Sequence, residues 1–156
     1  MKKMITWLLV ILLIVAVSAV GTLVVMSMLS HRGAAPGIVD GQLAPCSSKP
    51  NCVCSESFGG NAGSVAAIPF TGSVEKFVEN LQMAIAAEGG SVTDQEENYI
   101  AATFESGSFR FVDDVEFRIL PKKSIAHVRS ASRVGYSDMG VNRKRVEAIA
   151  SRLKGQ

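Results

Sequence analysis

One stretch of this chain holds most of the residue types that chemistry could use. "VRSASRVGYSDMGVNRKRVEAI", from Val128 to Ile149, sets four arginines and a lysine around two glycines, a Tyr, an Asp and an Asn. Ser130 or Ser132, with His127 and an aspartate, writes a hydrolytic triad on paper. In an extended chain, however, His127 points away from both serines, so a direct Ser–His hydrogen bond is geometrically poor. Tyr136 and Asp138 could exchange protons, but a Gly-Tyr-Ser-Asp run more often makes a turn with an anchoring aromatic. No G-x-G-x-x-G or Walker pattern occurs. The cysteines of "CSSKPNCVC" (Cys46, Cys52, Cys54) form one cluster without the second pair or histidines that zinc sites use. The expectation is no catalytic residue, no metal and no cofactor.

The cations invite a different chemistry. Asn142 is a good helix N-cap, which puts Arg143, Lys144 and Arg145 in the first turn, where the helix dipole prefers acids. Something should compensate. One candidate is a small anion on the free N–H groups of the helix start, gathered by Arg129, Arg133, Asn142, Arg143 and Arg145, with Gly135 and Gly140 letting backbone amides approach. The other is the protein itself: Asp113, Asp114, Glu116 and Asp138 can neutralise these cations in a charge network that also takes in Arg118. The second needs no ligand and is the leading expectation.

Two kinds of element must position these residues. "SFRFVDDVEFRIL" reads as a strand with Phe109, Phe111, Val115, Phe117 and Ile119 on one face and Arg110, Asp114, Glu116 and Arg118 on the other. "PKKS" is a loop, and "IAHVRSASR" returns. With Leu120 opposite Ile125, Phe117 meets Val128, Glu116 meets Arg129, Arg118 meets His127 and Val112 meets Arg133, with Asp114 diagonal to Arg129 and Arg133. Such opposite-charge pairs contribute roughly 0.2–1 kcal/mol each. Asp113 then falls on the apolar face. Either a bulge turns it out, or it is buried against Ser130, Ser132 or an arginine. "SVEKFVENLQMAIAAEGG" has helical spacing (Val74, Phe77, Val78, Leu81, Ile85), with Thr71 or Ser73 to cap it and Gly89-Gly90 to end it. "SVTDQEE" and "YIAATFES" read as strands. The last helix turns Val146, Ile149, Ala150 and Leu153 inward.

The net charge of +2 hides a segregation. From Asp40 to Glu116 acids dominate, against Lys49, Lys76 and Arg110; from Arg118 onward bases dominate, against Asp138 and Glu147. The two halves cancel, whereas a nucleic-acid binder carries a basic excess over the whole domain. No nucleic-acid partner is expected.

Met4 to Leu29 contains no charge. An apolar helix of about 20 residues crosses the hydrocarbon core, and a cleaved signal peptide usually has an apolar stretch of about 7–15. A retained single-pass anchor is therefore expected. "LAPC" lies far beyond the apolar run and has Pro45 where a lipoprotein cleavage box needs a small residue. Lys2 and Lys3 before the segment, against Arg32 after it, put the N-terminus in the cytoplasm and the rest in the periplasm, on the inner membrane. The organisation expected is 1–30 as N-terminus and anchor, 31–45 as linker and 46–156 as exported domain. The fold class is α+β: the transmembrane helix, then an antiparallel meander of about four strands with two helices on one face. Partners would be the membrane and either an envelope protein or a small anion. In an oxidising compartment a disulfide is the default. Cys46–Cys52 closes a short loop over the turn formers Pro50 and Asn51, and the third cysteine is left free and buried or paired with another chain.

"CSSKPNCVCS", "FRFVDDVEFRI" and "VRSASRVGYSDMGVNRKRVEAI" closely resemble the family catalogued as domain of unknown function 1499, over about Leu43 to Leu153. The matching positions are Cys46, Cys52, Asp113, Asp114, Arg129, Ser130, Ser132, Arg133, Gly135, Asp138, Gly140, Asn142, Arg143 and Arg145. The resemblance implies bacterial and plastid relatives, often membrane-attached, and carries over no catalytic role. Cys54 stands where the family pattern has a serine. That departure supports Cys46–Cys52 as the disulfide and makes Cys54 the odd thiol.

Overall fold

The structure, a computed structural model, describes residues 1–56 and 63–154. Residues 57–62, which follow the cysteine cluster, lie outside the described residues.

Helix α1 spans Lys2–His31 and is long and apolar enough to cross a membrane. Most of it is bare. Leu23, Met26 and Ser27 are half-buried and Ser30 is fully buried. This spacing marks one helical face, so only the last two turns meet the domain.

The segment after α1 carries a small hairpin, β1 (Ile38–Val39) and β2 (Gln42–Leu43), with Leu43 buried. Short strands β3 (Cys52–Cys54) and β4 (Ile68–Pro69) follow. Helix α2 covers Val74–Ala87. Ser73 caps it by accepting from the Lys76 N–H, and Gly89, at φ 81°, ends it in the left-handed conformation a glycine adopts without strain. Then come β5 (Gly90–Glu96), β6 (Tyr99–Glu105), β7 (Val112–Leu120) and β8 (Ile125–Ser132), and finally α3 (Val141–Lys154).

The sheet is antiparallel, ordered β3-β8-β7-β6-β5, with β4 also pairing β8. The meander β5–β8 gives the four strands expected from the alternation. β3 and β4 lengthen the sheet beyond that number; at three and two residues they are too short for a period of two to declare itself. The β7–β8 register is the expected one, with Glu116 opposite Arg129, Phe117 opposite Val128 and Leu120 opposite Ile125. It also runs unbroken past Asp113, which pairs with Ser132, so no bulge turns Asp113 outward. A correction applies at the start of β7. Phe109 and Phe111 precede the strand, because Arg110 sits at φ 52° and breaks the extension, while Ser106 and Phe111 close the loop with two hydrogen bonds.

The two faces of the sheet differ in kind. On the inner face α2 and α3 pack over β6–β8, burying Phe77, Leu81, Ile85, Phe104, Val115, Phe117, Val128, Val146 and Ile149. Each such side chain contributes roughly 1.5–3 kcal/mol of hydrophobic stabilisation. On the outer face Leu43, Cys54, Tyr99 and Ala101 form a smaller cluster, with Ala35 and Cys46 packed against it. Thus residues 33–46 lie across the outer face as a strap. The Cys46–Cys52 disulfide fastens the far end of that strap to β3, and Cys54 is free and buried.

Candidate functional site: a charge network through the sheet

Alternation along β7 delivers Asp113 to the inner face and Asp114 and Glu116 to the outer one. All three are buried. A buried carboxylate needs a cation and hydrogen-bond donors, or it would be driven neutral. Each has them.

Glu116 is fully buried. Its Oε2 accepts from Arg129 Nη1 at 2.8 Å, across the β7–β8 pair. Its Oε1 accepts from the Tyr99 hydroxyl at 2.9 Å and from the Gly37 backbone N–H at 2.8 Å. Burial, and then the charge of Glu116 beside it, push the Tyr99 phenol well above its ordinary range, so this hydroxyl stays protonated and donates. Arg129 leaves its Nε without a partner, the one buried side-chain polar atom so placed among the described residues.

Asp114 takes a two-pronged grip from Arg133, Nε to Oδ2 at 2.8 Å and Nη2 to Oδ1 at 2.6 Å. That geometry uses the planar fork of arginine, which lysine lacks. The hydrogen bonds to Asp114 hold the Arg133 guanidinium further above its ordinary range, so its charge is fixed. Its Nη1 reaches the Ser30 carbonyl at 3.0 Å, in the last turn of α1.

Arg118 does not pair with a β7 neighbour. It grips Glu56 through Nε at 3.1 Å and through Nη2. Glu56 also accepts from the Leu43 N–H at 2.6 Å, which ties the strap down beside β2. Burial opposes ionisation of Glu56, but the hydrogen bonds from Arg118 and Leu43 outweigh it and hold the carboxyl below its usual range. His127 lies between two groups, with Nδ1 3.1 Å from Ser55 Oγ and Nε2 3.7 Å from Glu56. The order Ser–His–carboxylate resembles a triad, but the His–carboxylate gap exceeds a hydrogen bond. Moreover, Ser55 Oγ is occupied as the acceptor of the Val128 N–H at 2.8 Å.

On the inner face Arg145, from α3, reaches Asp113 at 2.8 Å and lies over the Phe104 ring at 4.6 Å. Asp113 is thus buried against an arginine. Arg145 also donates to Asn142 Oδ1 at 2.7 Å. Asn142 is fully buried. It accepts from Ser130 Oγ and donates to the Asn51 carbonyl and to Ser132 Oγ, both at 3.1 Å. The expectation that Asn142 caps the last helix is corrected here, because it lies inside α3 and its side chain points into the sheet. Asp138 caps instead, accepting from Asn142 N–H at 2.8 Å and Gly140 N–H at 3.0 Å. Burial disfavours the Asp138 charge, but these N–H groups outweigh that and lower its pKa. Asp138 therefore also supplies the negative charge that the helix dipole calls for.

The structure brings Arg129, Arg133 and Arg145 each onto a separate carboxylate, the first two on one face of the sheet and the third on the other. Arg143 is apart from them: it is exposed at the start of α3, with Nη2 on the Ser64 carbonyl at 2.9 Å. Glu56, Tyr99, Asn51 and Ser30 belong to the network and were not foreseen. One signal for Glu56 was available: it shares parity with Cys52 and Cys54, and Arg118 lacked a carboxylate once Asp114 and Glu116 had been spoken for.

A family model described as a protein of unknown function (DUF1499) matches residues 42–153. No curated protein matches the chain.

Proposed function

The chain belongs to the DUF1499 family, and from that premise we propose that it is a single-pass, membrane-anchored envelope module that acts by binding or by structure rather than by catalysis. In this reading Lys2 and Lys3 lie in the cytoplasm and the domain lies in the periplasm, on the inner membrane. One observation carries the non-catalytic part: four of the arginines that could act on a substrate are engaged with the domain's own carboxylates. Arg129, Arg133, Arg145 and Arg118 are each matched to a buried carboxylate. The length and apolarity of α1 support the anchor, and the disulfide suits an oxidising compartment.

The test is fractionation of cells producing the full chain. The expected result is an uncleaved chain that stays with the membrane at alkaline pH and whose domain is digested by protease added to spheroplasts. A shortened chain in the soluble fraction would overturn the anchor, and protection from protease would reverse the orientation.

A second reading, a site for a small anion, draws on Arg143 and Lys144, which are exposed and have no ion-pair partner among the described residues. Thermal unfolding of the full chain with phosphate, sulfate and carboxylates separates the two. An anion at about 100 times its dissociation constant would add about 2.7 kcal/mol, and the gain would vanish in Arg143→Ala. The first reading expects no shift.

A further inference from the structure

Outside the charge network, four exposed large side chains gather at one end of the domain. Tyr136 is 71% exposed, Met139 is 90% exposed, and Val141 and Phe109 are exposed as well. They sit in or beside the β6–β7 loop (106–111) and the β8–α3 loop (133–140). Met139 also adopts a φ of 54°, a conformation unfavourable for a side chain of its kind.

This is the end at which α1 joins the sheet. Ser30 Oγ accepts from the Val112 N–H at 3.1 Å, and His31 Nε2 lies 2.9 Å from the Arg110 carbonyl. The loops also reach further down the helix. Leu23 and Met26 share a cleft of ≈ 250 Å³ with Phe111, Val134, Val141 and the backbone around Gly135. Leu23 is seven residues before Ser30, roughly 10 Å along the axis at the 1.5 Å rise of a helix. A hydrocarbon core needs about 20 apolar residues, so a span that begins at Met4 ends near Leu23. The domain's loops therefore descend to the level at which the hydrocarbon begins.

We infer that the loop end of the domain lies in the headgroup and upper acyl region of the bilayer that α1 spans, with Tyr136 and Met139 inserted beside the helix. The inference rests on reading α1 as a retained anchor. The chemistry of the patch fits a lipid surface: tyrosine favours the membrane–water interface, and the exposed cations Arg32, Arg143 and Lys144 lie in the adjoining ends of α1 and α3, where they can meet lipid phosphates, while Arg110 in the β6–β7 loop is paired with Glu105. The opposite end is more polar: Glu96, Glu97 and Asn98 share a cleft there with Ile38, an exposed large apolar side chain. The Pro121–Lys123 turn, about 26 Å away along β7, exposes Lys122 and Lys123 and no large apolar side chain.

The chain has one tryptophan, Trp7, which lies in α1 and reports on the anchor itself. The full chain would be reconstituted into vesicles of phosphatidylcholine and phosphatidylglycerol, with and without lipids brominated near the top of the acyl chains. Two further proteins would carry Trp7→Phe together with either Tyr136→Trp or Lys122→Trp. The expected result is quenching and a blue-shifted emission for the Tyr136→Trp probe and neither for the Lys122→Trp probe. If Trp7 in the natural chain is quenched but the two probes behave alike in water-exposed fashion, the domain stands off the bilayer and the inference fails while the anchor stands. If Trp7 is not quenched either, the anchor reading fails and takes the inference with it.

Discussion

The Ser30 carbonyl in the last turn of α1 accepts a hydrogen bond from Arg133, whose other guanidinium nitrogens hold Asp114. One side chain thus joins a terminal helix carbonyl, which also accepts from the Gly33 N–H at 3.4 Å, to a buried carboxylate of the sheet. A cation at a helix C-terminus is favoured by the dipole, and a carbonyl left unbonded there would cost free energy. The apolar helix and the domain are consequently parts of one hydrogen-bonded structure.

That arrangement predicts that arginine cannot be exchanged for lysine at this position. Arg133→Lys keeps the charge but cannot span both Asp114 oxygens and Ser30 at once. The expected loss is about 1.5–3 kcal/mol, the worth of a hydrogen bond to a charged group. Urea unfolding of the full chain in detergent measures it. An unchanged midpoint would remove the fork from the account of this junction.

Arg129 and Arg143 come from the same arginine-rich motif and should behave oppositely. Arg129→Ala strands Glu116, fully buried, without its cation, and should destabilise the domain by about 3–5 kcal/mol. Arg143→Ala removes an exposed side chain with one hydrogen bond to a backbone carbonyl and should stay within about 0.5 kcal/mol. Equal effects in thermal unfolding would mean that the two arginines do the same job.

Acid should weaken the fold through Glu56 and Asp138. Both carboxyls have lowered pKa values in the folded chain. Their stabilisation is complete above the unfolded carboxylate range, near pH 4, and is lost as pH falls through the lower folded values. Denaturation midpoints followed from about pH 7 to pH 3 should fall at the acid end. Glu56→Gln should be less stable at neutral pH, and its acid limb should be flatter. A variant limb as steep as that of the natural chain would take Glu56 out of the explanation.

The cysteines should divide cleanly. Non-reducing mass analysis of the membrane-extracted chain is expected to find one disulfide and one thiol. Burial pushes the Cys54 thiol up, so in the folded protein it should alkylate far more slowly than after denaturation. Cys46→Ser opens a short loop, for which chain entropy gives a loss of about 2 kcal/mol. Rapid labelling of Cys54 without denaturant would contradict its place beneath the strap.

How much of this was readable in the residues alone depended on sequence distance. The β7–β8 pairing was legible because a four-residue connection and strict alternation leave one register that keeps Phe117 and Val128 on the same side as Val115. The helices were legible from their apolar spacing, and Gly89 marked its own stop. What was hidden came from afar. Glu56 meets Arg118 from 62 residues away, and Gly37 meets Glu116 from 79. No period connects such partners. Asn142 has the right chemistry for a cap, yet Asp138 takes that role. The choice turned on the depth of the helix start, which follows from how α3 seats against Ser130 and Asn51.

The junction at Ser30 also sets how this domain meets other molecules. A flexible connection of fifteen residues would let a domain roam over roughly 20 Å in any direction. Here Ser30 and Gly37 are pinned to the sheet and His31 to the β6–β7 loop, and the strap is riveted at Glu56 and Cys52. The domain therefore inherits the tilt and spin of its helix and has almost no freedom of its own. With α1 held in a bilayer, as proposed, the domain's far surface would be presented at a constant height, and encounters with neighbours would become a matter of lateral diffusion and azimuth rather than of reach.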